Sequence, residues 1–112
     1  MQWLAVWRDY HRDNRQVFDL FIRFAREAKR AGKKRYSARA IVERIRWEVE
    51  IVAKTHDEFK INNNHCAYYA RLAMLLYPGE LGGLFVRHDS HFDGTDDEIL
   101  AANEIREVGQ LF

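Results

Sequence analysis

Residues 62–78 read NNNHCAYYARLAMLLYP, and this stretch decides the fold class. Asn62, Asn63 and Asn64 form a turn and cap signal, because Asn tolerates left-handed backbone and its side chain satisfies free N–H groups at a helix start. The letters that follow predict a helix over about 65–77. Cys66, Tyr69, Ala70, Ala73, Leu76 and Tyr77 recur at helical spacing and form its inner face, which Leu72 broadens. His65, Tyr68 and Arg71 fall toward the other side. Pro78 is expected to end the helix, since the residue before a proline is pushed out of the helical region. It is the only proline, and Gly79, Gly82 and Gly83 behind it make 78–83 the clearest break in the chain.

Two helices are expected upstream. The first runs from about Asp13 or Asn14 to Ala31, with Val17, Phe18, Phe21, Phe24, Ala25 and Ala28 as its apolar stripe and Leu20 and Ile22 widening it. Lys29 and Arg30 suit the negative end of its dipole, and Gly32 supplies a left-handed stop. KKRYS, residues 33–37, is a short basic link. Ser37 is a good N-cap, and Tyr36 with Ile41 has the spacing of a hydrophobic staple. The second helix places Ala40, Ile41, Ile45, Val49 and Val52 inward, Arg39, Glu43, Arg46 and Glu50 outward, and Trp47 at an edge. It should fade near 53–55. THDEFKINNN, residues 55–64, reads as a loop with a short extended stretch.

Downstream, Leu84, Phe85, Val86 and Arg87 read as one short strand. Thr95 with Glu98 matches a capping box and opens a last helix, about 96–108. Ile99, Leu100, Ala102 and Ile105 would dock it on the core, and its acidic character marks it as the least tightly held element. The expected architecture is mainly α: a three-helix core with a short β element, winged helix-turn-helix-like, plus a C-terminal helix. One domain spans 1–112, with an N-terminal arm at 1–12, the winged-helix-like core at 13–88, and a loop and C-terminal helix at 89–112. In the arm, Trp3, Trp7 and Tyr10 pack on the domain's own core, form a self-association patch or anchor a partner. The first is the preferred reading.

Apolar residues at 47% and aromatics at 13% suffice for a core, so the chain should not be disordered. The apolar stretch near the N-terminus is six residues at most, too short for a signal peptide or a membrane span. A single cysteine, Cys66, excludes an intrachain disulfide and fits a reducing compartment. The expected location is therefore the cytoplasm, with no membrane partner.

The chain SARAIVERIRWE (37–48), then FKINNN (59–64) and YARL (69–72), resembles a small uncharacterised family common in bacteriophage and prophage genomes. The resemblance covers about residues 10–88. It implies a phage origin, hence a bacterial host cell, and no activity or functional residue. Residues 89–112 have no counterpart in it.

Charge is unevenly spread. Residues 8–46 hold thirteen Lys/Arg against five Asp/Glu, while residues 47–112 hold five against twelve. One face that prefers anions is expected, unless the two halves neutralise each other on folding. In the winged-helix reading, Asn63, Asn64, His65, Tyr68 and Arg71 would lie on the reading helix, where Asn can pair with adenine and Arg with guanine. Lys33, Lys34, Arg35, Arg39 and Arg46 would neutralise phosphates. The competing reading is a helical core with a basic solvated edge. The expected function is a non-enzymatic, phage-encoded nucleic-acid-binding or regulatory module, with DNA as partner. The alternative is a phage protein that binds and inhibits a host protein as an anti-defence interaction module. A homodimer is a further expectation.

No catalytic site or cofactor is expected. Cys66 lies on the inner stripe and reads as a small core residue. His88, Asp89, His91 and Asp93 have the residue types to hold zinc or manganese, yet a polar loop ending in Asp-Gly gives the same letters, so no metal is assigned.

Overall fold

The computed structural model describes residues 2–53, 61–86 and 92–104. Six α-helices occupy them: α1 Trp3–Asp13, α2 Arg15–Arg30, α3 Ala38–Trp47, α4 His65–Leu76, α5 Pro78–Leu81 and α6 Asp96–Glu104. A π-helical turn, Glu48–Val52, extends α3. The protein is mainly α, as expected. Among the described residues there is no strand, so the short β element and the winged helix-turn-helix are corrected. Leu84 and Phe85 are buried by side-chain packing; the Leu84 N–H donates back to the Leu81 carbonyl at 3.1 Å, and the Leu84 carbonyl accepts from the Tyr36 N–H at 2.9 Å. Arg87 lies outside the described residues.

Local chemistry sets most helix ends. α2 stops in a Schellman arrangement: the Lys33 N–H donates to the Ala28 carbonyl, the Gly32 N–H donates to Lys29, and Gly32 takes φ +93°. Ser37 Oγ accepts from the Ala40 N–H at 3.2 Å and starts α3. The Thr95 hydroxyl accepts from the Glu98 N–H while the Glu98 carboxylate accepts from Thr95, a complete capping box for α6. Pro78 closes α4 but also opens the short α5, because the first helical position needs no N–H.

The expected N-terminal arm is helix α1. Leu4, Trp7 and His11 are spaced to share one face and are buried. Trp7 is fully enclosed, stacked on His11 at 5.2 Å and on Tyr68 at 5.3 Å, with the Tyr69 ring edge-on. Asn14 breaks the chain between α1 and α2, and its side-chain amide donates to the Tyr10 carbonyl.

α4 is the hub, touching every other α-helix of the described residues. Its polar side, expected to face out, is covered. α6 packs on α4 and α1 and buries Ile99 and Ala102, two of the residues expected to dock it on the core. Arg15 reaches Asn103 through both its side chain and its backbone carbonyl, and His11 Nε2 lies 2.9 Å from Asn103 Oδ1, joining α1, α2 and α6. In α3, Ile41, Val42 and Ile45 are buried, whereas Val52, expected inward, is exposed because the π turn rotates it away.

Candidate functional site

The residues expected to contact nucleic acid divide into two groups. His65, Tyr68 and Arg71 are buried, with 3%, 0% and 4% of their surface exposed, so their expected outward placement is corrected. The cause is α6 and the turn before it. The Tyr68 hydroxyl donates to the Asp93 carboxylate at 2.7 Å, and Arg71 donates to the Gly94 carbonyl at 2.8 Å and lies 3.3 Å from the Asp96 carboxylate. His65 packs its ring 5.1 Å from that of Tyr10, and neither ring nitrogen has a hydrogen-bond partner among the described residues. Desolvation pushes its pKa down to about 4, so it is neutral at physiological pH. None of the three can reach a base. Asn64 is half-buried at the start of α4, where its N–H donates to the Asn62 side chain at 2.9 Å.

The second group is on the surface. Lys33, Lys34, Arg35, Arg39 and Asn63 are exposed. Arg46 is partly exposed and sits 3.5 Å from the Glu43 carboxylate. Lys29 and Arg30, which sequence reading assigned only to the helix dipole, extend the cluster. Between Glu27 and Glu43 the chain carries six cations and no carboxylate. All six are exposed, and none has an ion-pair partner among the described residues. Several cations elsewhere are ion-paired: Arg26 with Glu80 at 3.0 Å, Arg44 with Glu48 at 3.2 Å, Arg12 with Asp13 at 3.0 Å. The acidic helix α6 packs on α1 and α4, and it meets α2 through Asn103 at Arg15, the opposite end of that helix from Lys29 and Arg30.

Two grooves flank this cluster and share Tyr36 as a wall. One, of about 260 Å³, lies between the end of α2 and the start of α3, with Phe24 in its floor and Lys33 and Arg44 on its sides. The Arg44 guanidinium stands 4.5 Å over the Phe24 ring. The other, of about 340 Å³, lies between the starts of α3 and α4 and the 84–86 segment, and is walled by Tyr36, Arg39, Asn63, Ala70, Phe85 and Val86. Cys66 borders it from a buried position. Burial is the main reason its pKa rises to about 11, so it stays a thiol at neutral pH, as a core residue should. The larger groove was not legible in the sequence, because residues 36, 63 and 86 meet only in three dimensions.

Of the four metal-ligand candidates, His88, Asp89 and His91 lie outside the described residues. Asp93 is described, and it accepts from the Leu4 N–H as well as from Tyr68, an anchoring role between α1 and α4. Among the described residues no cluster of three metal-ligating side chains occurs, and no helix is long and apolar enough to cross a membrane. The chain matches no family model, no curated protein and no solved structure.

Proposed function

We propose that this protein is a non-enzymatic, phage-encoded module that binds nucleic acid through its phosphates, acting in the cytoplasm of the bacterial host. The observation that carries this reading is the run Lys29, Arg30, Lys33, Lys34, Arg35 and Arg39: six exposed cations with no carboxylate among them and no ion-pair partner among the described residues. Such a surface repels itself unless anions approach it, and phosphate contacts supply most of the affinity in nucleic-acid binding. Base reading by α4 is no part of the proposal, since His65, Tyr68 and Arg71 are enclosed. Fluorescence anisotropy with labelled oligonucleotides at low salt tests it. Changing Lys34, Arg35 and Arg39 to Glu together should abolish binding and leave the circular-dichroism spectrum unchanged. Failure of the unmodified protein to bind any oligonucleotide ends the reading.

A protein partner is the second reading, and the exposed surface at the end of α3 and on the π turn that extends it favours it. Trp47, Ile51 and Val52 are each more than half exposed, a row of apolar surface of the kind that a host protein or a second copy covers. Retention of one specific host protein by the unmodified protein, lost with Trp47→Glu, is its test.

A further inference from the structure

We infer that the nucleic acid bound is single-stranded and that one unstacked base lodges in the groove between the starts of α3 and α4, against the ring of Tyr36. This rests on the phosphate-binding reading above and adds the strand form and the place of a base. Tyr36 is an exposed aromatic, 38% accessible, in the middle of the cation run. The groove beside it has about 340 Å³, within the roughly 300–1,000 Å³ of small-ligand sites.

Its chemistry suits a base. Phe85, Val86 and Ala70 give apolar walls for the flat faces, and Val86 is 58% exposed at the rim, an apolar group that a stacked base would cover. Asn63 offers an amide that both donates and accepts, which the polar edge of a base needs. Among the described residues no carboxylate lines this groove, and Arg39 stands on its wall where a neighbouring phosphate would fall. On the far side of Tyr36 the second groove is lined by Lys33, by Arg44, which is paired with Glu48, and by Glu27, so Lys33 is the cation that a phosphate would meet there. A strand crossing Tyr36 therefore meets a cation before and after the ring. Alternation of stacking surface and positive charge is how proteins hold single strands.

A duplex lacks the means to use this arrangement. Its bases are stacked inward, so only its phosphates would touch the protein. Beyond Arg39 the outer face of α3 alternates in sign, with the Glu43 carboxylate 3.5 Å from Arg46, so it offers a duplex laid along it no continuous run of phosphate contacts.

The test compares a labelled oligothymidylate with a duplex of equal phosphate number, against the unmodified protein and its Tyr36→Ala, Tyr36→Phe and Asn63→Ala variants. The single strand should bind tighter than the duplex. Tyr36→Ala should weaken single-strand binding by about tenfold or more, the range that loss of one stacked base produces, while Tyr36→Phe retains it. Duplex binding should not respond to Tyr36→Ala. Asn63→Ala, an exposed position, should keep the melting temperature and change the preference among homopolymer strands. Equal binding of both forms, insensitive to residue 36, overturns this inference and leaves the phosphate reading in place. Absence of binding to either form overturns both. Competition by polyglutamate as effective as that by the oligothymidylate overturns the inference in favour of an acidic protein segment in the same groove.

Discussion

The Tyr68 hydroxyl donates to the Asp93 carboxylate at 2.7 Å, and this bond makes the polar side of α4 a seam rather than a reading surface. The same carboxylate oxygen accepts from the Leu4 N–H at 3.0 Å, so three parts of the chain, 25 and 89 residues away along it, converge on one group. Tyr68→Phe removes the hydroxyl and keeps the ring stacked on Trp7. It should cost about 1 kcal/mol, seen as a melting temperature lower by several degrees. A variant that melts with the unmodified protein would show that the seam is held by packing alone.

Trp7 is the residue on which α1 depends. It is fully enclosed between His11 and the two tyrosines of α4. Trp7→Ala should cost about 3–5 kcal/mol, a large share of the 5–15 kcal/mol that ordinarily holds a domain together. Denaturant unfolding measures it. A loss under 1 kcal/mol would mean that α1 is held by other contacts than Trp7.

His65 should make the protein acid-sensitive. Its folded pKa of about 4 lies below the unfolded value of about 6.5, so the unfolded chain binds the extra proton between these values. Its share of stability is complete above about pH 6.5 and is lost as pH falls toward 4, on the order of 3 kcal/mol in all. Asp93 acts in a lower window. Burial raises its pKa, but the Tyr68 hydroxyl and the Leu4 N–H outweigh that and hold it below the usual carboxylate value, so its contribution is lost only as the carboxylate protonates. Thermal melts of the unmodified protein and of His65→Leu across pH 4–7.5 separate the two. The variant should be flatter between pH 6.5 and 4. Parallel curves would remove His65 from the account.

What the sequence revealed was what local chemistry decides. The aromatic stripe of α2, the stop at Gly32, the Ser37 cap and the Thr95–Glu98 box each depend on residues within one or two turns, and each is present. Lys33, Lys34, Arg35 and Arg39 were legible as exposed charges because a short link and the first turn after it have nowhere to bury them, whereas Lys29 and Arg30 were read only as complements to the α2 dipole. Long-range packing was not legible. α1 looked like an arm because Arg8, Asp9, Arg12 and Asp13 interrupt its apolar letters, although Leu4, Trp7 and His11 keep helical spacing. His65, Tyr68 and Arg71 looked exposed because they are polar, and the partners that let Tyr68 and Arg71 be buried come from the turn at 93–94 that leads into α6. The groove at Tyr36 joins residues 36, 63 and 86, which no periodicity links.

Arg39 is expected to matter for binding and not for folding. It is exposed at the start of α3 and has no ion-pair partner among the described residues. Arg39→Ala should weaken oligonucleotide binding several-fold with a melting temperature within about a degree of the unmodified protein, in line with surface substitutions of about ±0.5 kcal/mol. Arg71→Ala should do the reverse. It empties a buried site, leaves the Gly94 carbonyl without its donor and should cost about 2–4 kcal/mol. Equal destabilisation by both would mean that Arg39 is a structural residue.

The salt dependence of oligonucleotide binding, compared between the unmodified protein and Lys34→Ala/Arg35→Ala, addresses the cation run most directly. Affinity should fall linearly on logarithmic axes between about 50 and 200 mM salt, and the double variant should flatten the slope by about 1.4–1.8, the loss of two phosphate contacts. An identical slope in the variant, or no binding at about 50 mM salt, would contradict a phosphate-binding role for these side chains.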